Sequence, residues 1–254
     1  MTKKVCVITG SSAGIGAASA KLFSERGWNV CVNYSRDAGP AEQVAAACRE
    51  FGAETMVERA DVSDDAQCVQ LAQRVKDRFG RCDALVNNAG TTKFVELRDL
   101  DGLDAADFQR IYTVNVIGAF QATRAFTALL RQSPGAAVVN VSSIASLLGA
   151  GSSIAYVASK GALNALTLSL ARVLAPQVRV NAVAPGVVDT LWLKNGLGPQ
   201  RYEAMMNRYE ASSALGTGVS AEEVAQSIFY LAAGATKTTG EVHVVDGGRV
   251  LGRL

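Results

Sequence analysis

Histidine is almost missing from this 254-residue sequence. His243 stands alone, and the five cysteines (Cys6, Cys31, Cys48, Cys68, Cys82) are odd in number and never form a Cys-x-x-Cys pair. A zinc site of ordinary composition needs such residues clustered, so no metal is expected. Cys6 and Cys31 lie inside apolar runs, where a thiol behaves as a small buried hydrophobe. Charge is also sparse: 19% of residues are charged, and 25 Lys and Arg against 23 Asp and Glu leave +2. With no basic block anywhere, neither nucleic acid nor an anionic membrane is the expected partner. No apolar stretch approaches the roughly 18 residues of a membrane span. The start runs from Met-Thr-Lys-Lys into a strand with too short an apolar stretch for a signal peptide, so a cytoplasmic protein is expected.

What is plentiful is apolar surface. Apolar residues make up 49% of the chain, enough at this length for one large core and too many for a disordered chain. Strand candidates lie at 4–9, 29–33, 54–60, 83–87, 136–141, 178–183 and 241–245, and most are continuously apolar, as expected for parallel strands covered on both faces. Helical spacing fills the gaps. Cys68, Leu71, Ala72, Val75 and Phe79 form one stripe, with Ser63 as candidate cap and Gly80 as its stop. Pro40 suits the first turn of a helix over 41–51. Longer helices are predicted over 105–132 and 155–174, and a last one over 221–233. Repeated strand–helix–strand units imply an α/β fold, a doubly wound parallel sheet of about seven strands in a single domain with helices on both faces. Residues 188–220, which carry Trp192, Met205 and Met206, break the rhythm and read as a lid or pocket wall.

After the first strand comes Thr9-Gly10-Ser11-Ser12-Ala13-Gly14-Ile15-Gly16 and then a helix. Such glycines let the backbone turn sharply and approach a pyrophosphate, which sits on the free amides of a helix start. No Gly-Lys-Ser/Thr ending follows, so this is not a nucleoside-triphosphate loop. The same residues spell Gly-x-Ser-x-Gly around Ser12, a hydrolase nucleophile elbow in form. Ser12 follows the first strand, however, where that fold requires several strands earlier, and His243 lacks an orienting partner in sequence.

Tyr156 and Lys160 stand four residues apart on one predicted helical face. A free phenol titrates near pH 10, and a neighbouring cation favours its phenolate. Ser143, at the end of the fifth apolar run, lies where ligands bind in parallel sheets, at a carboxyl strand end. Ser143, Tyr156 and Lys160 can therefore converge near a ligand held by the glycine turn.

In this order of motifs the chain resembles the short-chain dehydrogenase/reductase family along essentially its whole length, leaning toward the 3-oxoacyl-[acyl-carrier-protein] reductase-like branch. The motifs are Thr9-Gly10-x-x-x-Gly14-x-Gly16, Asp61-Val62, Asn87-Asn88-Ala89-Gly90, Asn115, Ser143, Tyr156-x-x-x-Lys160, Asn181, Pro185-Gly186 with Thr190, and Val245-Asp246-Gly247-Gly248. The resemblance implies a Rossmann-type domain and NAD(P)-dependent hydride transfer between a carbonyl and an alcohol. It makes Tyr156 the general acid–base, with Ser143 steadying the substrate oxygen, Lys160 lowering the Tyr156 pKa and holding a ribose, and Asn115 completing a proton relay. It also implies that Gly10, Ser12, Ile15 and Gly16 line the pyrophosphate. Asp61 and Val62 would contact adenine, Asn88, Ala89 and Gly90 the ribose side, and Pro185, Gly186, Val188 and Thr190 the nicotinamide side. Asn87 is expected to brace the sheet.

An NAD site places an acid about 20 residues past the glycine loop. Here that position is Tyr34, flanked by Asn33, Ser35 and Arg36, which can donate to a 2′-phosphate. NADP(H) is therefore the expected cofactor, with NAD(H) as the alternative, because Asp37 follows at once and Ala13 offers no second cation. The partners expected are a small carbonyl or alcohol substrate and copies of the chain itself, in a homotetramer built on the 105–132 and 155–174 helices. The rival reading is a nucleotide sensor of the same fold without turnover, against which the Asn115, Ser143, Tyr156 and Lys160 set argues.

Overall fold

In the computed structural model, which describes residues 2–252, the apolar runs become seven strands. These are β1 Val5–Ile8, β2 Asn29–Tyr34, β3 Thr55–Arg59, β4 Ala84–Asn87, β5 Ala137–Val141, β6 Arg179–Pro185 and β7 Val242–Val245. All pair in parallel, in the order β3-β2-β1-β4-β5-β6-β7. The central strands β1, β4 and β5 are buried at every position, while the edge strands β3 and β7 are largely half-buried. That is why the inner strands read as unbroken apolar runs.

Among the described residues there are ten α-helices: α1 Gly14–Glu25, α2 Ala38–Glu50, α3 Asp65–Phe79, α4 Ala105–Tyr112, α5 Gly118–Gln132, α6 Ala145–Leu148, α7 Ile154–Leu174, α8 Leu191–Leu197, α9 Pro199–Ser212 and α10 Ala221–Phe229. On one face α1, α2 and α10 bury Phe23, Val44 and Ile228. There Phe23 meets Trp28 and Phe229 edge-on, at 5.1 and 5.0 Å between ring centres. On the other face α3, α5 and α7 bury Leu71, Phe126 and Leu174 against Val7 and Val138. Burying each such side chain stabilises the fold by about 1.5–3 kcal/mol. Between the layers Asn87 does brace the sheet: its Nδ2 donates to Asn140 Oδ1 (2.9 Å) and Thr123 Oγ1 (3.0 Å).

Local chemistry moves several predicted boundaries. Ser63 does not cap α3. Asp64 does, accepting from the Ala66 and Gln67 amides, while Ser63 turns back to Asp61 Oδ1 (2.7 Å). A carboxylate one position nearer the positive helix end wins over a hydroxyl. Asp37 likewise caps α2 through the Gly39 amide (2.9 Å) and starts it at Ala38 rather than residue 41. The single helix predicted over 105–132 is α4, a π turn at Thr113–Ile117, and α5. One extra residue in the ladder leaves the apolar stripe nearly continuous, so periodicity cannot reveal it. A second π turn at Tyr230–Gly234 ends the helix predicted over 221–233.

The 188–220 insertion is α8 and α9. A parallel bridge between Val188 and Val219 closes its base. Tyr209 Oη and Ser213 Oγ tie the end of α9 to the Asp246 and Gly247 carbonyls, each at 2.5 Å.

Candidate active site

Strand order reverses between β1 and β4, and their carboxyl ends open the crevice where ligands of such sheets bind. Two loops meet there at backbone distance. A Cβ on Gly10, whose φ is +61°, would lie 2.9 Å from Ala89 Cα, and one on Gly16 would lie 2.6 Å from Asn88 Nδ2 and 2.7 Å from Ser11 Cα. Only glycine fits either place. Asn88 Nδ2 stitches the loops together by donating to the Thr9 and Gly10 carbonyls (2.9 and 2.8 Å).

Side chains cap the first turns of α2, α3, α4, α7 and α10; α1, like α5, α6, α8 and α9, has none, and Ala13 stands at its cap position beside the glycine turn. Its first-turn amides and the positive end of its dipole are thus left for an anion. The glycine floor and uncapped helix fit the diphosphate of a dinucleotide. Beside them a cleft of about 290 Å³ runs between Gly14, Ala17 and Lys21 and the lip formed by Thr190 and Leu191. Thr190 Cγ2 lies 3.4 Å from where a Gly14 Cβ would stand. Ser12 and Ile15 are half-buried along the same turn, and Val188 is buried behind Thr190.

The residues after β2 separate into two roles. Asn33 is buried and fully engaged: its Oδ1 accepts from the Gly10 amide (3.0 Å) and its Nδ2 donates to the Ala60 and Glu58 carbonyls (3.0 and 3.2 Å). This corrects the expectation that Asn33 reaches a ligand, because its polar atoms hold the glycine turn instead. Tyr34 is half-buried against the core, whereas Ser35 and Arg36 are exposed. Arg36 forms no ion pair among the described residues, and the Asp37 carboxylate is turned to α2. Asp61 is half-occupied by Ser63, and the Val62 carbonyl accepts from Gln121 Nε2 (2.7 Å). Pro185 ends β6 and Gly186 follows it, with the Tyr209 hydroxyl packed on Gly186 so closely that a Cβ there would lie 1.8 Å from it.

Ser143, Tyr156 and Lys160 meet at the carboxyl end of β5. Ser153 caps α7 through the Tyr156 amide (3.3 Å), which sets Tyr156 in the first helical turn, where the dipole favours negative charge. Lys160, one turn on, is buried; its Nζ donates to the Val141 carbonyl (2.8 Å) and lies 5.6 Å from the Tyr156 ring centre. Ser143 Oγ accepts from the Ala145 amide (3.1 Å), which fixes the hydroxyl beside Tyr156. The expectation that Lys160 lowers the Tyr156 pKa is not met in the free protein: burial pushes the phenol up to about 12, with only a hydrogen bond from Ser143 acting against it, and burial brings Lys160 itself down to about 8. At neutral pH the free protein therefore holds a protonated phenol beside a lysine cation.

Asn115 sits in the π turn, and its side chain is committed. Its Oδ1 accepts from the Thr91 amide (2.8 Å), and its Nδ2 donates to the Thr91 carbonyl and Ser159 Oγ (3.0 Å each). Ser159 Oγ passes on to the Tyr156 carbonyl (2.7 Å). Sequence reading missed Ser159 and Thr91, although a serine directly before Lys160 on the buried face of a helix was a usable signal. Gly90 faces the same chamber: a Cβ there would approach Asn115 Oδ1 at 3.5 Å and Lys160 Nζ at 3.7 Å. Ser12 and His243 do not meet. Ser12 follows β1 and His243 lies in β7, four strands away, or roughly 19 Å at ordinary strand spacing, so the hydrolase elbow is excluded. Among the described residues no group of His, Cys, Asp or Glu could hold a metal ion.

Residues 10–249 match a family model described as enoyl-(acyl carrier protein) reductase. A protein of Streptomyces violaceoruber, named as ketoacyl reductase 2 of the granaticin polyketide synthase, is 39% identical over 244 residues, spanning 96% of this chain and 95% of its own. A 3-oxoacyl-[acyl-carrier-protein] reductase of Synechocystis is 32% identical over 255 residues, 99% of this chain and 98% of its own. A crystal structure described as a short-chain dehydrogenase/reductase from Burkholderia xenovorans superposes with a TM-score of 0.92 at 44% identity, covering 99% of this chain and all of the other.

Proposed function

This chain belongs to the short-chain dehydrogenase/reductase family, and from that premise we propose that it moves a hydride between NADP(H) and a small carbonyl or alcohol substrate with Tyr156 as general acid–base. The observation that carries the reading is the meeting of Ser143, Tyr156 and Lys160 beside the glycine turn. The dinucleotide supplies or accepts the hydride when bound. Gly10, Ser12, Ile15 and Gly16 hold its diphosphate on the open end of α1, Asp61 and Val62 take the adenine side, and Asn88, Ala89 and Gly90 take the ribose side. Pro185, Gly186, Val188 and Thr190 face the nicotinamide side, and residues 188–220 close over the site as a lid. In reduction Tyr156 Oη gives its proton to the substrate oxygen, Ser143 Oγ donates a hydrogen bond to that oxygen, and the Lys160 cation stabilises the phenolate left behind. With its side-chain amide already spent, Asn115 acts through its backbone and through Ser159, fixing the Tyr156 turn. The test is cofactor-dependent turnover against ketones, aldehydes and 3-oxoacyl thioesters, followed by loss of NADPH absorbance. Tight cofactor binding with no turnover of any of them would favour the sensor reading.

The preference for NADPH follows from Ser35 and the unpaired Arg36, whose guanidinium offers a fork for phosphate oxygens. The nearest acid, Asp37, is occupied as a helix cap. Wild-type kcat/KM is expected to favour NADPH over NADH by about tenfold or more, the size of one strong charge-assisted contact. Tyr34→Asp combined with Arg36→Ala is expected to abolish or reverse that ratio. A wild type that prefers NADH would refute the assignment.

A homotetramer belongs to the same reading. The helices α5 and α7 carry solvent-facing Phe120, Leu168 and Val173, apolar side chains that a symmetric two-fold contact would cover. The expected solution mass at micromolar concentration is that of four chains, and a monomeric mass in light scattering would overturn it. No helix among the described residues is long and apolar enough to cross a membrane. A cytoplasmic location is proposed, in keeping with five free thiols.

A further inference from the structure

One wall beside Tyr156 is aromatic and braced. The Trp192 ring on α8 lies 6.3 Å from the Tyr156 ring, tilted 43°, and 5.5 Å from Phe94, tilted 53°. Phe94 is half-buried and jammed against the backbone of α8: a Cβ on Gly196 would lie 2.0 Å from its Cε2. Trp192 itself stays 44% exposed, although an indole is ordinarily among the most buried of side chains. On the other side, the segment bearing Phe94 is pinned to the loop before α7 by Val95 N to Ser152 O (2.9 Å) and by a Thr92–Ser152 hydroxyl pair (2.7 Å). The wall is therefore held at both ends. The two cations next to it are already matched, Lys93 by Asp107 (2.6 Å) and Lys194 by Asp189 (2.7 Å).

We infer that the carbonyl substrates of this chain carry a flat, uncharged ring that lies against Trp192, with Phe94 holding the indole in place. The inference rests on the oxidoreductase reading and names its substrate class. A rigid apolar plane rewards a rigid plane laid on it, through offset or edge contacts beyond simple area burial. A linear chain of equal size loses rotamer freedom to lie flat there. With Lys93 and Lys194 engaged and Lys160 buried behind Tyr156, a carboxylate or phosphate on the ring would find no unpaired surface cation beside Phe94 or Trp192 among the described residues.

The test compares kcat/KM for acetophenone and 2-octanone, ketones of equal carbon count, in the wild type and in Trp192→Leu and Phe94→Leu. The wild type is expected to prefer acetophenone about tenfold. Trp192→Leu brings the ratio near unity by raising the acetophenone KM more than that of 2-octanone, and Phe94→Leu gives a ratio in between. Acetophenone titrated into the NADP⁺-loaded wild type quenches tryptophan fluorescence, and the quenching disappears in Trp192→Leu, which retains only the buried Trp28. Turnover of 2-octanone with equal or unchanged ratios overturns the ring assignment and leaves the oxidoreductase intact. If neither ketone is turned over, quenching decides: its loss in Trp192→Leu supports the wall, and its absence from the wild type overturns it. Failure with every carbonyl in the broader panel, by contrast, sinks the parent reading.

Discussion

Tyr156→Phe is expected to lower kcat by at least about a thousandfold while the Kd for NADPH stays within about threefold of wild type. The substitution removes one hydroxyl and keeps the ring. The ring's packing against Trp192, the Ser153 cap on α7 and the Lys160–Val141 hydrogen bond therefore survive. What is lost is the only proton that Ser143 and Lys160 are arranged to help move. In the free protein burial keeps the phenol neutral to about 12, so Tyr156 carries its proton throughout the neutral range and gives it up only as the Lys160 cation stabilises the developing phenolate. The measurement is single-turnover kinetics with bound NADPH, alongside a fluorescence titration of the cofactor. Retention of more than a few per cent of wild-type turnover would remove Tyr156 from the mechanism.

Lys160→Met is expected to do two opposite things: cut turnover by about a hundredfold or more and make the cofactor-free protein more stable at pH 7. The first effect follows from removing the cation beside a developing phenolate. The second follows from burial. A lysine whose ordinary value is 10.5 and whose folded value is about 8 carries its charge at pH 7 at a cost of about 3 kcal/mol relative to the unfolded chain. Loss of the hydrogen bond from the charged Lys160 to the Val141 carbonyl takes back about 1.5–3 kcal/mol, leaving a net gain of about 1 kcal/mol.

The pH dependence has a definite sign. Below about pH 8 the folded lysine is charged and the full cost applies. Between about 8 and 10.5 the unfolded chain binds the extra proton, so wild-type stability rises with pH across that window. Lys160→Met lacks this rise. Tyr156 acts oppositely above pH 10, where the unfolded phenol ionises and the folded one does not, so stability falls there. Urea denaturation of both proteins from pH 6 to 10 reads the effect. A variant less stable than wild type at pH 7, together with a wild-type curve flat between pH 8 and 10, would show that Lys160 is not strained by burial.

Order along the chain was enough to recognise the strand–helix alternation, the glycine turn after β1 and the Tyr156–Lys160 helix, because each depends on short-range features. Continuous apolar runs mark strands buried on both faces, glycines mark places without room for a Cβ, and a spacing of four residues puts two side chains on one helical face. These local rules were sufficient to bring Ser143, Tyr156 and Lys160 to one strand end, since parallel sheets leave little freedom in where carboxyl ends point. They were equally sufficient to show a literal hydrolase motif around Ser12, and only the sheet order, with β7 four strands from β1, removed it.

Tertiary structure decided whatever depended on competition between neighbours. Asn33 looked like a donor for a ligand until its amide proved to be shared between the glycine turn and the end of β3. Asp37 and Asp64 took helix caps that sequence alone left open or gave to a serine. The π turn that carries Asn115 was invisible because one inserted residue hardly disturbs an apolar stripe. Phe94 went unnoticed, an isolated aromatic in a loop, until Gly196 admitted its ring to the backbone of α8 and braced Trp192. A residue's type and its near neighbours determine what it can offer. Which offer is taken depends on the partner that folding brings within about 3 Å, the range over which a hydrogen bond forms.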